Sequence, residues 1–291
     1  MELDVHRPAL LRPGEGETVT DRPERTLRIL ADREELTLTW FRYEPGQEGP
    51  ELHVHREHSD AFYVLEGELE FELGPERRFV TGGPGTLAAA PPNVAHTFRN
   101  ASGSTAIFLN IHAPAAGFGD LLRARRDGTE IPHFDQFDPP PDGGRPFEDA
   151  ILRGPGEGDA IDLGQTDALF KMEASDGQGS FSLTELTISP GFPGPIPHRH
   201  RALVDSFFVL EGTLVFRLGD DELEGGPGSY AFVPPGGVHS FANRSDETVR
   251  ALNVMAPGGL EQYLKEVHAA VGTSDPEAMA EIASRYDFQP V

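Results

Sequence analysis

The chain has 291 residues, with 48 acidic against 24 basic side chains, a formal net charge of -24 at pH 7, and no cysteine. Such a charge repels nucleic-acid phosphates and anionic lipid headgroups, and the missing thiols exclude disulfides, thiolate nucleophiles and cysteine-ligated zinc. Any metal must be held by histidine and carboxylate. A hydrophobic fraction of 37% with 33 glycines and 26 prolines describes a globular, turn-rich chain of short strands, long enough for two domains. The start, "MELDVHRPALLRPGEGE", lacks the apolar core of a secretion signal, and no run of about 18 apolar residues occurs, so a cytoplasmic protein is expected.

In chain order, the first segment with a period of two is "LTLTWFRY" at 36–43, an expected strand. "HVHREHSD" at 53–60 follows. Side chains at i and i+2 share a strand face, so His53 and His55 point the same way, and a bend after Arg56 brings Asp60 back to them. "AFYVLEGELEFEL" at 61–73 reads as strands around Gly67. "GGPGTLAAAPPNVAHTFRN" at 82–100 supplies His96; Gly85 and Pro91 are expected to shape turns, and Asn100 to hydrogen-bond one. "GDLLRARRDG" at 119–128 is helical, and "FDQFDPPPDGGRPF" at 134–147 reads as a linker because prolines and glycines stop regular structure. The expected domains are therefore 1–142 and 143–291.

The second half repeats the first. "HRHRALVDSFFVLEGTLVF" at 198–216 aligns on 53–71 at an offset of 145, and "GGPGSYAFVPPGGVHSFAN" at 225–243 aligns on 82–100 at an offset of 143. The two-residue difference falls between "ELGPERRFVT" and "RLGDDELE", where a hairpin turn absorbs it. "LNIHAP" from Leu109 matches "LNVMAP" from Leu252, and "FSLTELTI" at 181–188 is a further strand. Helical patterns close this half: "LEQYLKEVHAAV" at 260–271 and "PEAMAEIASRY" at 276–286. In the repeat, Gly228 and Pro234 again shape turns and Asn243 matches Asn100.

Each half thus offers three imidazoles and a carboxylate: His53, His55, Asp60 and His96, then His198, His200, Asp205 and His239. These donors suit a divalent first-row ion, one per domain, with one or two coordination positions left open for chemistry. An isolated His-x-His on a strand is more often a solvated pair, but six of the eleven histidines fall at matching positions in two copies. His58 lies beside the first set, and His112 stands where the second copy has Met255. Counting in twos places Phe62, Val64 and Phe98 inside the first barrel, with Phe207, Val209, Phe232 and Phe241 in the corresponding places of the second, as a substrate pocket or as filling.

The two blocks resemble the cupin family in its duplicated, bicupin form. The family's second motif is matched by Gly228, Pro234, Gly236, His239 and Asn243, and by Gly85, Pro91, His96 and Asn100, with Asn93 in place of the usual glycine. In the first motif Asp60 and Asp205 stand where the family has glutamate. The resemblance implies an all-β fold of two tandem jelly-roll barrels with short helices after each. It also implies a metal-dependent enzyme similar to the bicupin quercetin 2,3-dioxygenases, in which Fe(II), Mn(II), Ni(II) or Zn(II) binds a deprotonated oxygen of an aromatic or enolic small molecule that reacts with dioxygen. Asp60 and Asp205 would then be ligands or catalytic bases. The alternatives are a non-redox lyase or isomerase and a metal-containing binding protein without turnover. Arg56, Arg99, Arg199 and Arg201 fall at outward positions, which argues against a small dianion as substrate, with Arg42 or Lys171 as cations able to reach in and Lys171 read first as a surface residue. Open sheet edges make a homo-oligomer a further expectation.

Overall fold

The computed structural model describes residues 4–270 and 276–291; Val271, the end of an expected helix, lies outside them. Two units emerge. One is built mainly of Gly16–Glu157, and the other of Gly158–Ser175 and Phe181–Val291 together with the segment ending at Glu15. The division differs from a cut at 142/143 because strand pairing, not loop composition, decides it. Ile151–Arg153 pairs with Leu87–Ala90 of the first unit, and Ala9–Leu11 pairs with Tyr230–Val233 of the second.

In the first unit a seven-stranded antiparallel sheet runs in the order Ile151–Arg153, Leu87–Ala90, Ser59–Glu66, Ala106–Ala113, Leu36–Tyr43, Arg25–Arg33, Glu17–Arg22. A smaller sheet pairs Leu69–Leu73 with Arg78–Gly82 and with His96–Arg99. The second unit repeats this plan, with Ser182–Ile188, Val204–Glu211, Tyr230–Val233 and Val249–Ala256 in its seven-stranded sheet. The fold is that of two jelly-roll barrels, mostly β with few short helices.

Period-two patterning accounts for the strands. Along Ser59–Glu66 the residues Phe62 and Val64 enter an aromatic core with Phe41, Phe71, Phe98 and Phe108, while the alternate residues turn away. Phe41 and Phe108 stack with ring centroids 5.0 Å apart. The two-residue offset falls where expected: Leu73 pairs with Arg78 across a four-residue turn, and Leu218 pairs with Asp221 across a two-residue one. Helix Phe118–Asp127 buries Phe118, Leu121 and Leu122, at i, i+3 and i+4, and ends at Gly128 in the left-handed region with φ 64°.

Candidate metal centres

The His-x-His segment of the first unit is not a regular strand. His53 bridges His96 and Val54 bridges Phe137, the chain bends at 56–58, and Asp60 then stands at the second position of Ser59–Glu66. In the second unit His198 likewise pairs with His239. The eight residues form two buried groups, each with ligand atoms within 4.8 Å of one another.

Backbone carbonyls fix the imidazole tautomers. His53 donates from Nδ1 to the Glu51 carbonyl at 2.8 Å, His96 to Val94 at 2.9 Å, and His55 to Asp135. The second unit repeats this, with His198 donating to Ile196 at 2.9 Å, His239 to Gly237 at 3.2 Å, and His200 to Asp287. A neutral imidazole carries one proton, so each Nε2 is left as a lone pair aimed into the group. The Nε2 atoms of His53 and His55 are 3.2 Å apart, and the buried Nε2 of His200 makes no hydrogen bond. Converging lone pairs without a proton between them fit a cation.

The carboxylates complete each group despite being one methylene shorter than glutamate. Asp60 Oδ2 lies 3.2 Å from His96 Nε2 and 3.7 Å from His55 Nε2, and its Oδ1 accepts the side-chain amide of Asn110. Asp205 Oδ2 lies 3.0 Å from His239 and 3.4 Å from His200, and its Oδ1 accepts from Asn253 at 2.5 Å. One oxygen is tied back and the other faces the imidazoles.

Electrostatics follow from burial. Desolvation, then the neighbouring His96 and His55, lowers the pKa of His53 to about 2, and desolvation with His239 lowers that of His198 to about 3. Burial alone would raise Asp60, but the neighbouring His112, His55 and His96 outweigh it and hold the carboxyl well below its usual range. Burial opposes the charge on His200 too, yet contact with Asp205 raises its pKa.

Several contributors were not recognisable in sequence. Asp135 and Asp287 come from segments beyond the barrels. The Asp135 carboxylate accepts the backbone N–H groups of Arg56 and Glu57 at 3.0 and 2.7 Å, and Asp287 accepts those of Arg201 and Ala202 at 2.8 Å. The segment at 134–147 is therefore part of the first centre's frame and not only a linker. Asn93, with φ 68°, matches Gly236, with φ 84°; each gives its N–H to the carbonyl of the second histidine, His55 or His200, at 2.6 Å. Asparagine tolerates that left-handed geometry, which is why it replaces glycine. Asn100 and Asn243 bond their turns, as expected.

The first unit adds a buried chain. His112 Nε2 is 3.2 Å from Asn110 Oδ1, its hydrogen-bond partner, and 3.5 Å from Asp60 Oδ1, His112 Nδ1 is 2.9 Å from His58 Nε2, and His58 Nδ1 is 2.9 Å from the Asp135 carboxylate. Desolvation lowers His58 to about 4. Leu203 and Met255 hold the matching places of the second unit, packed with Leu260. In that unit Phe288 stacks on His198 with centroids 4.3 Å apart.

A cavity of about 350 Å³ reaches His53, His55 and Asp60, and Phe98, Phe118 and Phe134 are among its walls. Phe62 packs behind Phe98 at 4.6 Å, and Phe207 and Phe241 pair at 5.0 Å in the second barrel core. Phe232 does not join them. It registers with Ser206, whereas Asp205 registers with Val233 and Phe207 with Ala231, so Phe232 faces the other side of the sheet. Lys171, read as a surface residue, is fully buried with Glu185 at 3.6 Å, and Arg42 is held by Glu44 and the Pro23 carbonyl.

Two buried histidine–aspartate groups that could each hold a metal ion, one per jelly-roll barrel, define the class. The chain belongs to the cupin family: the cupin domain matches residues 39–112 and 184–255, one stretch in each half. It is 26% identical to quercetin 2,3-dioxygenase of Bacillus subtilis (strain 168), over 89% of this chain and 85% of that protein. Among solved structures it resembles a putative glyoxylate-induced protein from Pseudomonas aeruginosa, with TM-score 0.61 and 17% identity over 87% of this chain and 90% of that one. It also resembles the oxalate decarboxylase of Lactobacillus farciminis in its formate complex, with TM-score 0.59 and 14% identity over 94% and 95%. These structures share the bicupin fold. No helix among the described residues is long and apolar enough to cross a membrane.

Proposed function

We propose that the protein is a metal-dependent dioxygenase acting on an aromatic or enolic small molecule, as its quercetin dioxygenase relative is named for doing. The observation that carries this reading is the set of lone pairs from His53, His55 and His96, with Asp60 Oδ2, at an aromatic-walled cavity. His53, His55, His96 and Asp60 would hold a redox-capable ion, which would supply Lewis-acid activation of a substrate oxygen and access to dioxygen chemistry.

The chain's own groups have distinct tasks. Phe98 and Phe134 bind the apolar body of the substrate and exclude water. Asn110 and the carbonyls of Glu51, Val94 and Asp135 orient the four donors. A substrate hydroxyl proton taken up at Asp60 has the run from His112 through His58 to Asp135 behind it, a path that the second unit's Leu203 and Met255 cannot provide. Turnover is accordingly assigned to the first unit.

Elemental analysis of wild type, His55→Ala and His200→Ala tests the reading. About two equivalents of iron, manganese or nickel per chain are expected, with about one lost in each variant. Oxygen uptake with a flavonol is expected to vanish in His55→Ala. Turnover that proceeds without oxygen and with zinc would favour a lyase or isomerase, and a ligand recovered unchanged would make the protein a binder.

A further inference from the structure

Two arginines from different elements of the first unit meet the same cavity. Arg25 opens the strand Arg25–Arg33, Arg125 lies in the last turn of helix Phe118–Asp127, and both line the space reached by His53, His55 and Asp60. Tyr43, Phe98, Phe118 and Phe134 supply aromatic wall to the same cavity.

The neighbours of these arginines are neutralised and they are not. On the same helix Arg123 pairs with Glu17 and Asp32 at 2.7 and 2.5 Å, and Arg126 pairs with Glu17 and Asp127, each at 2.7 Å. Arg25 donates to the Tyr43 hydroxyl at 3.3 Å and lies over its ring at 5.4 Å; neither it nor Arg125 has a carboxylate partner among the described residues. Burial raises the pKa of the Tyr43 phenol, and the charges of Arg25 and Arg125 oppose it. In a chain with twice as many acids as bases, two guanidinium groups without a carboxylate partner among the described residues at one cavity run against the composition. The acids on the cavity lining are Asp60, tied to Asn110 and the imidazoles, and Glu51, whose backbone carbonyl serves His53.

The second unit lacks the arrangement. Arg25 registers with Tyr43 across the first sheet, and the matching register of the second pairs Thr166 with Ile188. Repetition of the fold therefore does not require the arginine or the phenol, and a ligand confined to the first unit explains them.

We infer that the first unit's substrate is an aromatic or enolic acid whose carboxylate is held by Arg25 and Arg125, at the end of the molecule away from the oxygen directed at His53, His55 and Asp60. The inference rests on the function proposed above. Planar guanidinium groups suit a carboxylate, and aromatic walls suit the body between the two polar ends.

Calorimetric titration of nickel-loaded protein with 3,4-dihydroxybenzoate and with its neutral amide, 3,4-dihydroxybenzamide, tests this. The acid is expected to bind about ten-fold more tightly than the amide. In Arg25→Met/Arg125→Met that advantage is expected to disappear with amide binding unchanged; the single Arg125→Met change, at an exposed helix position, is expected to remove part of it and guards against misfolding of the double variant. Nickel-dependent binding of acid and amide with equal affinity overturns the inference and leaves the proposed function standing. Absence of nickel-dependent binding of either probe overturns both.

Discussion

Asp135 holds His55 from eighty residues away, accepting its Nδ1–H on the backbone carbonyl while its carboxylate gathers the N–H groups of Arg56 and Glu57. Asp287 does the same for His200. The carboxylate thus clamps the bend that follows the paired histidines, and the carbonyl sets the direction of one lone pair. Asp135→Ala is expected to weaken metal binding at the first centre by about 10–100-fold, the usual cost of losing an orienting partner, and to leave the second centre unchanged. Competitive metal titration of the variant resolves the two sites; equal loss at both, or loss at neither, contradicts the clamp.

The aromatic core of the first barrel should carry much of that unit's stability. Phe108 is fully buried, stacked on Phe41 and in edge contact with Tyr43 and Phe98. Phe108→Ala is expected to cost about 3–5 kcal/mol through lost burial and the cavity left behind. Phe79, 53% exposed, is expected to cost less than about 1 kcal/mol on the same change. Urea unfolding of the two variants compares them directly, and similar midpoints would place the core elsewhere.

The histidine groups were legible because two forces wrote them twice. The two-residue spacing of His53 and His55 and its repetition in the second half made the two histidine–aspartate groups and the barrel fold readable from the chain. Asn110 and Asn253 lay within a repeat that was already visible, "LNIHAP" and "LNVMAP". Asp135 was hidden because its segment has no periodicity and its offset to Asp287 differs from that of the barrel. Phe232 was misplaced because its face depends on register with Ser206, a pairing between strands that spacing along one strand does not supply. Arg25 and Arg125, a strand end and a helix end a hundred residues apart, line one cavity only in the folded chain.

Buried, neutral imidazoles make the metal-free protein acid-sensitive. His53, His58 and His198 have pKa values lowered from 6.5 to about 2, 4 and 3. Below pH 6.5 the unfolded chain takes up these protons and the native one does not, so stability present at neutral pH is lost as the pH falls, by about 1.4 kcal/mol per unit for each group that resists protonation. The raised His200 works in the opposite sense over its own range, and the lowered Asp60 and Asp205 add a further loss once the pH nears the ordinary carboxyl range. Urea midpoints of chelator-treated protein are expected to fall from pH 7 to pH 5; a flat profile would mean that the imidazoles take up protons in the native state.

Metal removal should destabilise the protein without unfolding it. Each barrel has its own cluster of buried apolar side chains, so the fold does not depend on the ion for a core. An ion held by these groups would bind only the native arrangement of donors, and at a hundred times its dissociation constant it would add about 2.7 kcal/mol per site. Dialysis against a chelator is therefore expected to lower the melting temperature while leaving the far-ultraviolet circular dichroism of a β protein in place, and readdition of nickel is expected to restore it. His55→Ala and His200→Ala separate the contributions, each retaining the shift that belongs to the other unit. An unchanged melting temperature in wild type would mean that the two groups hold no ion. Loss of the β signal would mean that the converging lone pairs cannot be kept together without one.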